Sequence, residues 1–147
     1  MRIAVVLCGV NPTTSEVLAV SRKDDHTSFG LPGGKVDPED GPLDPENLHT
    51  TLARAVVREI REEIGVQLRL DEVHLTFAEV DPTGFLTYCF TANNTLSSAS
   101  TQEGEGVVRW VSWETLVAGP FGSYNTSIRA HLRRMATCDT SSSTLTV

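Results

Sequence analysis

Three glutamates, Glu59, Glu62 and Glu63, fall within the segment Arg58-Glu59-Ile60-Arg61-Glu62-Glu63-Ile64-Gly65-Val66. On a helix, the spacing i, i+3, i+4 sets all three on one face. Carboxylates packed so closely repel one another. The repulsion is relieved by solvent, by protonation, by arginine pairing or by a hard divalent cation, and an all-oxygen donor set favours Mg²⁺ or Mn²⁺. Taken alone, the same residues also describe an ordinary solvated helix with an Arg58–Glu62 i,i+4 pair worth a few tenths of a kcal/mol. That plainer origin is the commoner one for a charged helix face. What adds weight to the cation reading lies upstream, in Leu31-Pro32-Gly33-Gly34-Lys35-Val36, where a Pro-Gly-Gly turn lets backbone approach a ligand closely.

The glutamates need a rigid helix. Asp44 is placed to cap it and Pro45 suits a first helical position. Leu52, Val56, Ile60 and Ile64 recur every four residues as a buried stripe, and Gly65 supplies the stop. Residues 2–8 and 16–21 are β-branched runs separated by turn residues, so they read as a hairpin or as adjacent strands. A polar loop, 23–28, precedes the glycine turn, and an acidic, proline-rich loop, 37–43, follows it. Strands are expected over Val66–Leu70, Val73–Val80 and Phe85–Ala92, the last two joined by the turn Asp81-Pro82-Thr83-Gly84. A polar loop, 93–106, leads to a strand over Val107–Val111, a short helix over Trp113–Val117 and a last helix over Asn125–Met135. The Ser/Thr-rich stretch Thr137–Val147 has too little apolar surface to pack and is expected to be disordered. Strands and helices mixed without regular βαβ alternation indicate an α+β domain, an α/β/α sandwich built on a mixed sheet.

At 147 residues the chain suits one domain, and its 39% apolar and 21% charged fractions are those of a soluble globular protein. The net charge of −7, with lysines and arginines scattered, argues against non-specific binding to a nucleic-acid backbone. Cys8, Cys89 and Cys138 have no metal-ligand spacing and are odd in number, which suits reduced thiols in a cytoplasmic protein. The N-terminal run Ile3–Cys8 is short and passes directly into Asn11-Pro12, so it reads as a strand and not as a targeting peptide. No stretch reaches the roughly 18 apolar residues of a membrane span.

The glycine turn and the glutamate helix together resemble the Nudix box, G-x5-E-x7-R-E-U-x-E-E-x-G-U, in which U is a bulky aliphatic residue. Arg58 to Val66 matches every defined position of its second half. The first half departs from the pattern. Asp40 stands where the first glutamate belongs, and seventeen residues separate it from Arg58 instead of seven. The extra residues either lengthen a loop or add about two helical turns, and Glu39, Asp40 and Glu46 are all candidates for the first acidic position.

Resemblance to the Nudix (MutT-like) hydrolases over residues 1–136 implies Mg²⁺-dependent hydrolysis of a pyrophosphate linkage, with Mn²⁺ as a substitute. It implies that Glu59, Glu62 and Glu63 ligate metal, that Glu59 or Glu62 orients or deprotonates the attacking water, and that Arg58 holds a ligand carboxylate. The Gly33 or Gly34 carbonyl adds an oxygen ligand. A further acid is expected from the loop before Trp110, with Glu105 preferred over Glu103, the alternative being that either only solubilises a surface loop. Substrate contacts are expected at Gly33 and Lys35; Arg22 and Lys23 either contact phosphate or are plain solvated residues, Phe29 either meets substrate or packs under the loop, and Asn125 either reads a base edge or caps the last helix. Trp110 and Trp113 are expected in the core. The favoured substrate is a nucleoside triphosphate, intact or modified, giving a monophosphate and pyrophosphate. ADP-ribose or a dinucleoside polyphosphate is the alternative. Pro82 lies sixteen residues beyond Val66, a spacing associated with ADP-ribose pyrophosphatases, but the hairpin turn already explains it. A nucleotide sensor that has lost catalysis is a third reading, disfavoured by the intact glutamates. A monomer or a homodimer is expected.

Overall fold

The first strand, β1 (Ile3–Leu7), is apolar throughout because both of its faces are covered. Val5 and Leu7 join a cluster with Leu52, Val56, Ile60 and Ile64, whereas Val6 and Cys8 pack with Trp113, Ile128 and Leu132 on the other side. Strand β2 (Val17–Ser21) divides in the same way, with Leu18 and Val20 on one side and Val17 and Ala19 on the other. A doubly buried strand has no polar alternation. The computed structural model, which describes residues 2–138, is therefore a sandwich of β-structure between helices.

Among the described residues, seven strands form two sheets. The mixed sheet runs β4-β1-β6-β5, from β4 (Gly33–Lys35), β5 (Val73–Val80) and β6 (Leu86–Ala92). Within it β1 and β6 are parallel, and the other pairings are antiparallel. The second sheet, β3-β2-β7, is antiparallel and uses β3 (Phe29–Gly30) and β7 (Val108–Val111). Helix α1 (Leu48–Ile64) covers one side, and α2 (Trp113–Val117) and α3 (Gly122–Cys138) cover the other.

Several expectations are corrected. Strands β1 and β2 do not form a hairpin; they lie in different sheets, linked through an isolated bridge between Val10 and Val17. Val66–Leu70 is not a strand. Val66 and Leu68 are buried anchors of an extended link that ends in a 3-10 turn at Leu70–Glu72, because both can enter the core without a neighbouring strand. The glutamate helix begins after Asn47, not at Asp44. Asp44 instead closes a preceding turn: its carboxylate accepts from the Asn47 amide at 3.1 Å and its carbonyl from Leu48 N at 2.9 Å. The residues added between Gly34 and Arg58 thus lengthen a loop, which the Thr51 hydroxyl pins through the Pro42 carbonyl at 2.7 Å. Helix α3 starts at Gly122, three residues before Asn125, and runs through Thr137 and Cys138. The rest of the expected disordered tail, 139–147, lies outside the described residues.

The other elements follow their sequence signals. Asp81 organises the β5–β6 turn by accepting from Thr83 N and Phe85 N, and Ser112 caps α2. Trp113 is core, Trp110 is half-buried, and Cys8 and Cys89 are free buried thiols. Among the described residues no helix is long and apolar enough to cross a membrane.

Candidate active site

Pairing of β4 with β1 carries Gly33 and Gly34 across Val6 and Val5. A Cβ on Gly33 would strike the Val5 carbonyl, and its φ of +155° lies in the region that favours glycine. The glycines expected in a Pro-Gly-Gly turn are thus strand β4, and this bare strand lies against the last turns of α1. Gly33 N donates to Glu63 Oε1 at 2.5 Å, and a Cβ on Gly34 would fall 2.6 Å from the Glu59 carboxylate. These contacts bring the two halves of the motif together.

Arg58 is the hub of the other half. Its Nε and Nη2 each donate at 2.9 Å to the two oxygens of Asp40, a bidentate pair. Nη2 also reaches the Lys35 carbonyl at 3.1 Å and Asp37 at 3.4 Å. Nη1 donates to Glu59 at 3.0 Å and to Glu62 at 3.3 Å. Of the three candidates for the first acidic position, Asp40 is the one that meets Arg58; it is 4% exposed, whereas Glu39 and Glu46 are exposed. The signal for this was present, since Asp40 stands six residues after Gly34. A 3-10 turn at Pro38–Asp40 presents it, closed by Asp37 N donating to Asp40 Oδ2 at 2.8 Å.

Electrostatics separate the acids. Burial alone would raise the Asp40 pKa, but the Arg58 hydrogen bonds and the Asp37 amide outweigh it and hold the carboxyl below its ordinary value. The Asp40 hydrogen bonds in turn raise the Arg58 pKa. Glu59 shifts upward, mainly because burial outweighs its contact with Arg58. Glu63 is pushed up to about 7, first by burial and then by the charges of Glu59 and Glu105, against the Gly33 amide and Lys23.

These shifts predict how pH acts on the metal-free protein. The folded-state pKa of Glu63 lies near 7 and the ordinary value is 4.5, so the folded state binds more protons between them. Stability therefore falls as pH rises from about 4.5 to 7, by at most roughly 1.4 kcal/mol per pH unit, and stays low above that window. Asp40 has the opposite sign, but its effect lies below the ordinary aspartate value of 3.8. The Tm of chelator-treated protein should drop by several degrees between pH 5 and pH 7.5, and Glu63→Gln should flatten the slope. An unchanged slope in Glu63→Gln would reject Glu63 as its origin.

The remaining candidates are dispersed. Glu105 lies near Glu63 and pairs with Lys23 at 3.4 Å, and Glu103 is exposed. Arg22 is turned to Asp24 at 3.3 Å. Phe29 is not at the surface of the site but is buried with Trp113 and Leu116, because β3 directs it into the core. A cavity of about 240 Å³ adjoins β4, lined by Gly33, Gly34, Lys35, Phe85, Tyr124 and Asn125 among others. Asn125 lies inside α3 and so is not its cap; it is buried, and its amide nitrogen donates to the Leu116 carbonyl at 3.4 Å. Sequence reasoning missed Phe85, whose ring carries the Arg2 guanidinium at 4.4 Å and the Lys35 ammonium at 5.6 Å. No local pattern marks it, since only the β5–β6 turn brings it to this cavity.

The donors suit a hard divalent cation. All are carboxylate oxygens, and burial raises the pKa of both Glu59 and Glu63 in spite of the partners each has, a cost that a bound cation would offset. Among the described residues, no three acidic, histidine or cysteine side chains already surround a common point. Glu59 and Glu62 are turned to Arg58, Glu63 to Gly33 and Glu105 to Lys23.

The family model of the NUDIX domain matches residues 1–132. Similar solved structures include MutT from Methanosarcina mazei Go1, at 21% identity and TM-score 0.65, covering 91% of this chain and 94% of that one. A structure from a study of MutT of Aliivibrio salmonicida and Vibrio cholerae is 21% identical with TM-score 0.61, covering 90% and 98%. The NUDIX domain of Shewanella oneidensis NrtR, complexed with ADP ribose, is 20% identical with TM-score 0.63, covering 91% and 86%. None of the curated proteins matches the chain at a significant level. The chain belongs to the NUDIX domain family. It is a Nudix hydrolase, of a family that cleaves pyrophosphate linkages and generally uses divalent cations.

A methyl group at Gly34 tests how closely β4 and Glu59 must fit. The atom that it meets is the mobile end of a side chain, so Gly34→Ala should keep Tm within a few degrees while displacing Glu59. Turnover should fall by roughly ten- to a hundredfold, the usual scale for a misplacement of about 1 Å. Wild-type turnover in Gly34→Ala would separate Glu59 from the chemistry.

Proposed function

We propose that this enzyme hydrolyses a nucleoside triphosphate, intact or modified at the base, to a monophosphate and pyrophosphate, with Mg²⁺ as its cation and Mn²⁺ as a substitute. One observation carries the choice of substrate class: the cavity of about 240 Å³ begins at the glycines of β4, which touch Glu59 and Glu63. It is of a size for one heterocycle and is walled by Leu31, Phe85, Phe121 and Tyr124. Asn125 and Lys35 also line it, and in this reading Asn125 takes a base edge and Lys35 a phosphate oxygen.

Glu59, Glu62, Glu63 and Glu105, with the Gly34 carbonyl, would hold the cation. When bound, the cation supplies Lewis-acid neutralisation of charge on the phosphate oxygens. Glu59 or Glu62 orients the attacking water and takes its proton. Arg58, fixed by Asp40, restrains both of those carboxylates. The Gly33 amide sets the direction of Glu63. The bare glycine strand β4 lets the phosphate chain pass close to the backbone.

The ADP-ribose complex of the similar Shewanella oneidensis domain supports a second reading, a nucleoside diphosphate sugar. A substrate panel decides between them. Nucleoside triphosphates, oxidised-base triphosphates, ADP-ribose, dinucleoside polyphosphates and capped RNA are assayed for phosphate products in Mg²⁺ and in Mn²⁺. The proposal expects the highest kcat/KM among triphosphates, with pyrophosphate released. A higher kcat/KM on ADP-ribose would overturn it. Tight nucleotide binding with no product in either metal would identify a sensor.

A further inference from the structure

Three of the four carboxylates of the site, Glu59, Glu62 and Glu105, pair with a cation, and in two different ways. Arg58 serves Glu59 and Glu62, and it is itself locked by Asp40, Asp37 and the Lys35 carbonyl. Glu105 is served by Lys23, whose Nζ lies 3.4 Å from its Oε2. The Lys23 side chain is 67% exposed and that of Glu105 25%, so this pair lies at the water boundary. An exposed lysine–carboxylate pair is held weakly and exchanges easily.

The backbones carrying the two residues are, by contrast, stitched together. Ser21 N donates to the Val107 carbonyl at 2.9 Å, and Val107 N donates to the Ser21 hydroxyl at 2.8 Å. Gly106 packs so tightly on the Ser21 carbonyl that no Cβ would fit between them. Residue 23 therefore stays within reach of residue 105 whatever the Lys23 ammonium binds. The neighbouring Arg22 is engaged with Asp24 at 3.3 Å, which leaves Lys23 as the cation of this loop that meets the acids. Lys23 and Glu105 also both act on Glu63, with opposite signs, so the three share one electrostatic neighbourhood.

We propose that Lys23 is a displaceable counter-cation of the active site: it neutralises Glu105 until a divalent ion takes that carboxylate, and is then free to bind a substrate phosphate oxygen. Metal binding is thereby coupled to phosphate binding through one side chain. The inference rests on the reading of Glu59, Glu62, Glu63 and Glu105 as a cation site. Lys23 is a positioning residue before the metal enters and a substrate contact afterwards.

The two roles have opposite signatures. In titrations followed by the electron paramagnetic resonance of free Mn²⁺, without nucleotide, Lys23→Met should bind Mn²⁺ about two- to fivefold more tightly, since an exposed competing pair has been removed. In saturating Mn²⁺, the same variant should bind imidodiphosphate, a pyrophosphate analogue that resists hydrolysis, about tenfold more weakly by calorimetry. In a Glu105→Gln background, Lys23→Met should no longer tighten Mn²⁺ binding. Arg22→Met is the control for diffuse charge and should change Mn²⁺ affinity less than Lys23→Met. An unchanged or weaker Mn²⁺ affinity in Lys23→Met, or an equal gain in Arg22→Met, overturns the proposal. Weaker imidodiphosphate binding without a gain in Mn²⁺ affinity makes Lys23 a plain phosphate ligand and overturns it also. Should the wild-type protein bind no Mn²⁺, and Glu63→Gln leave that unchanged, the cation-site reading itself falls, and with it the inference.

Discussion

Glu63→Gln should lower Mg²⁺-dependent turnover by about a thousandfold or more while leaving the fold intact. The loss is large because a carboxylate ligand to a catalytic cation acts on charge that develops in the transition state, where such groups commonly account for several kcal/mol. The fold survives for a local reason. Glutamine is nearly isosteric and its amide oxygen can still accept the Gly33 N–H that glutamate accepts at 2.5 Å. The substitution also removes a charge that burial disfavours, so the metal-free variant should melt at or above the wild-type temperature at pH 8. Glu62→Gln should show a comparable kinetic loss. Phosphate release in Mg²⁺ together with Tm tests both, and near-wild-type rates in the two variants would sink the assignment of these glutamates.

Arg58→Ala should have the largest effect on stability together with a loss of activity. Removing the guanidinium leaves Asp40, 4% exposed, as a buried carboxylate without its bidentate partner. Breaking one side of such a pair costs about 3 kcal/mol. Glu59 and Glu62 lose their shared restraint as well, so turnover should fall by about a hundredfold or more. Lysine should not rescue, since a single ammonium cannot serve Asp40, Glu59, Glu62 and the Lys35 carbonyl in one fork. The Arg58→Ala/Asp40→Asn double variant should be less destabilised than the sum of its singles, because the stranded charge is gone. A Tm for Arg58→Ala within a degree or two of wild type would refute the hub.

Much of this architecture could be read without coordinates. The glutamate helix, the Asp81 turn and α2 all rest on local rules: a four-residue apolar stripe, an Asx-type turn and a serine cap. The misassigned elements are those in which local chemistry is ambiguous. Val66 and Leu68 have strand-like alternation, yet an extended link with the same spacing buries them equally well. Strands β1 and β2 look like a hairpin because turn residues separate them, but both are apolar on two faces and each enters a different sheet. Leu96 lies in a stretch of polar composition and is buried with φ +58°, filling space that Gly9 leaves open.

The sequence by itself determined that three carboxylates share a helical face, that Arg58 precedes them, and that a pair of glycines lies upstream, because residue type and helical period are local properties. Which acid completes the hub could not be decided in that way. Spacing from Gly34 marks Asp40, but Glu39 and Glu46 are acids of the same loop, and spacing cannot say which of the three reaches Arg58. The structure chooses Asp40 because a 3-10 turn buries it within 2.9 Å of two Arg58 nitrogens while its rivals stay in water. The meeting of Gly33 with Glu63, of Lys23 with Glu105, and of Phe85 with the cavity likewise arises from strand pairing across separations of about 30 to 80 residues. Tertiary structure decided those contacts because each depends on the register between distant strands and loops, which no local pattern of residues encodes.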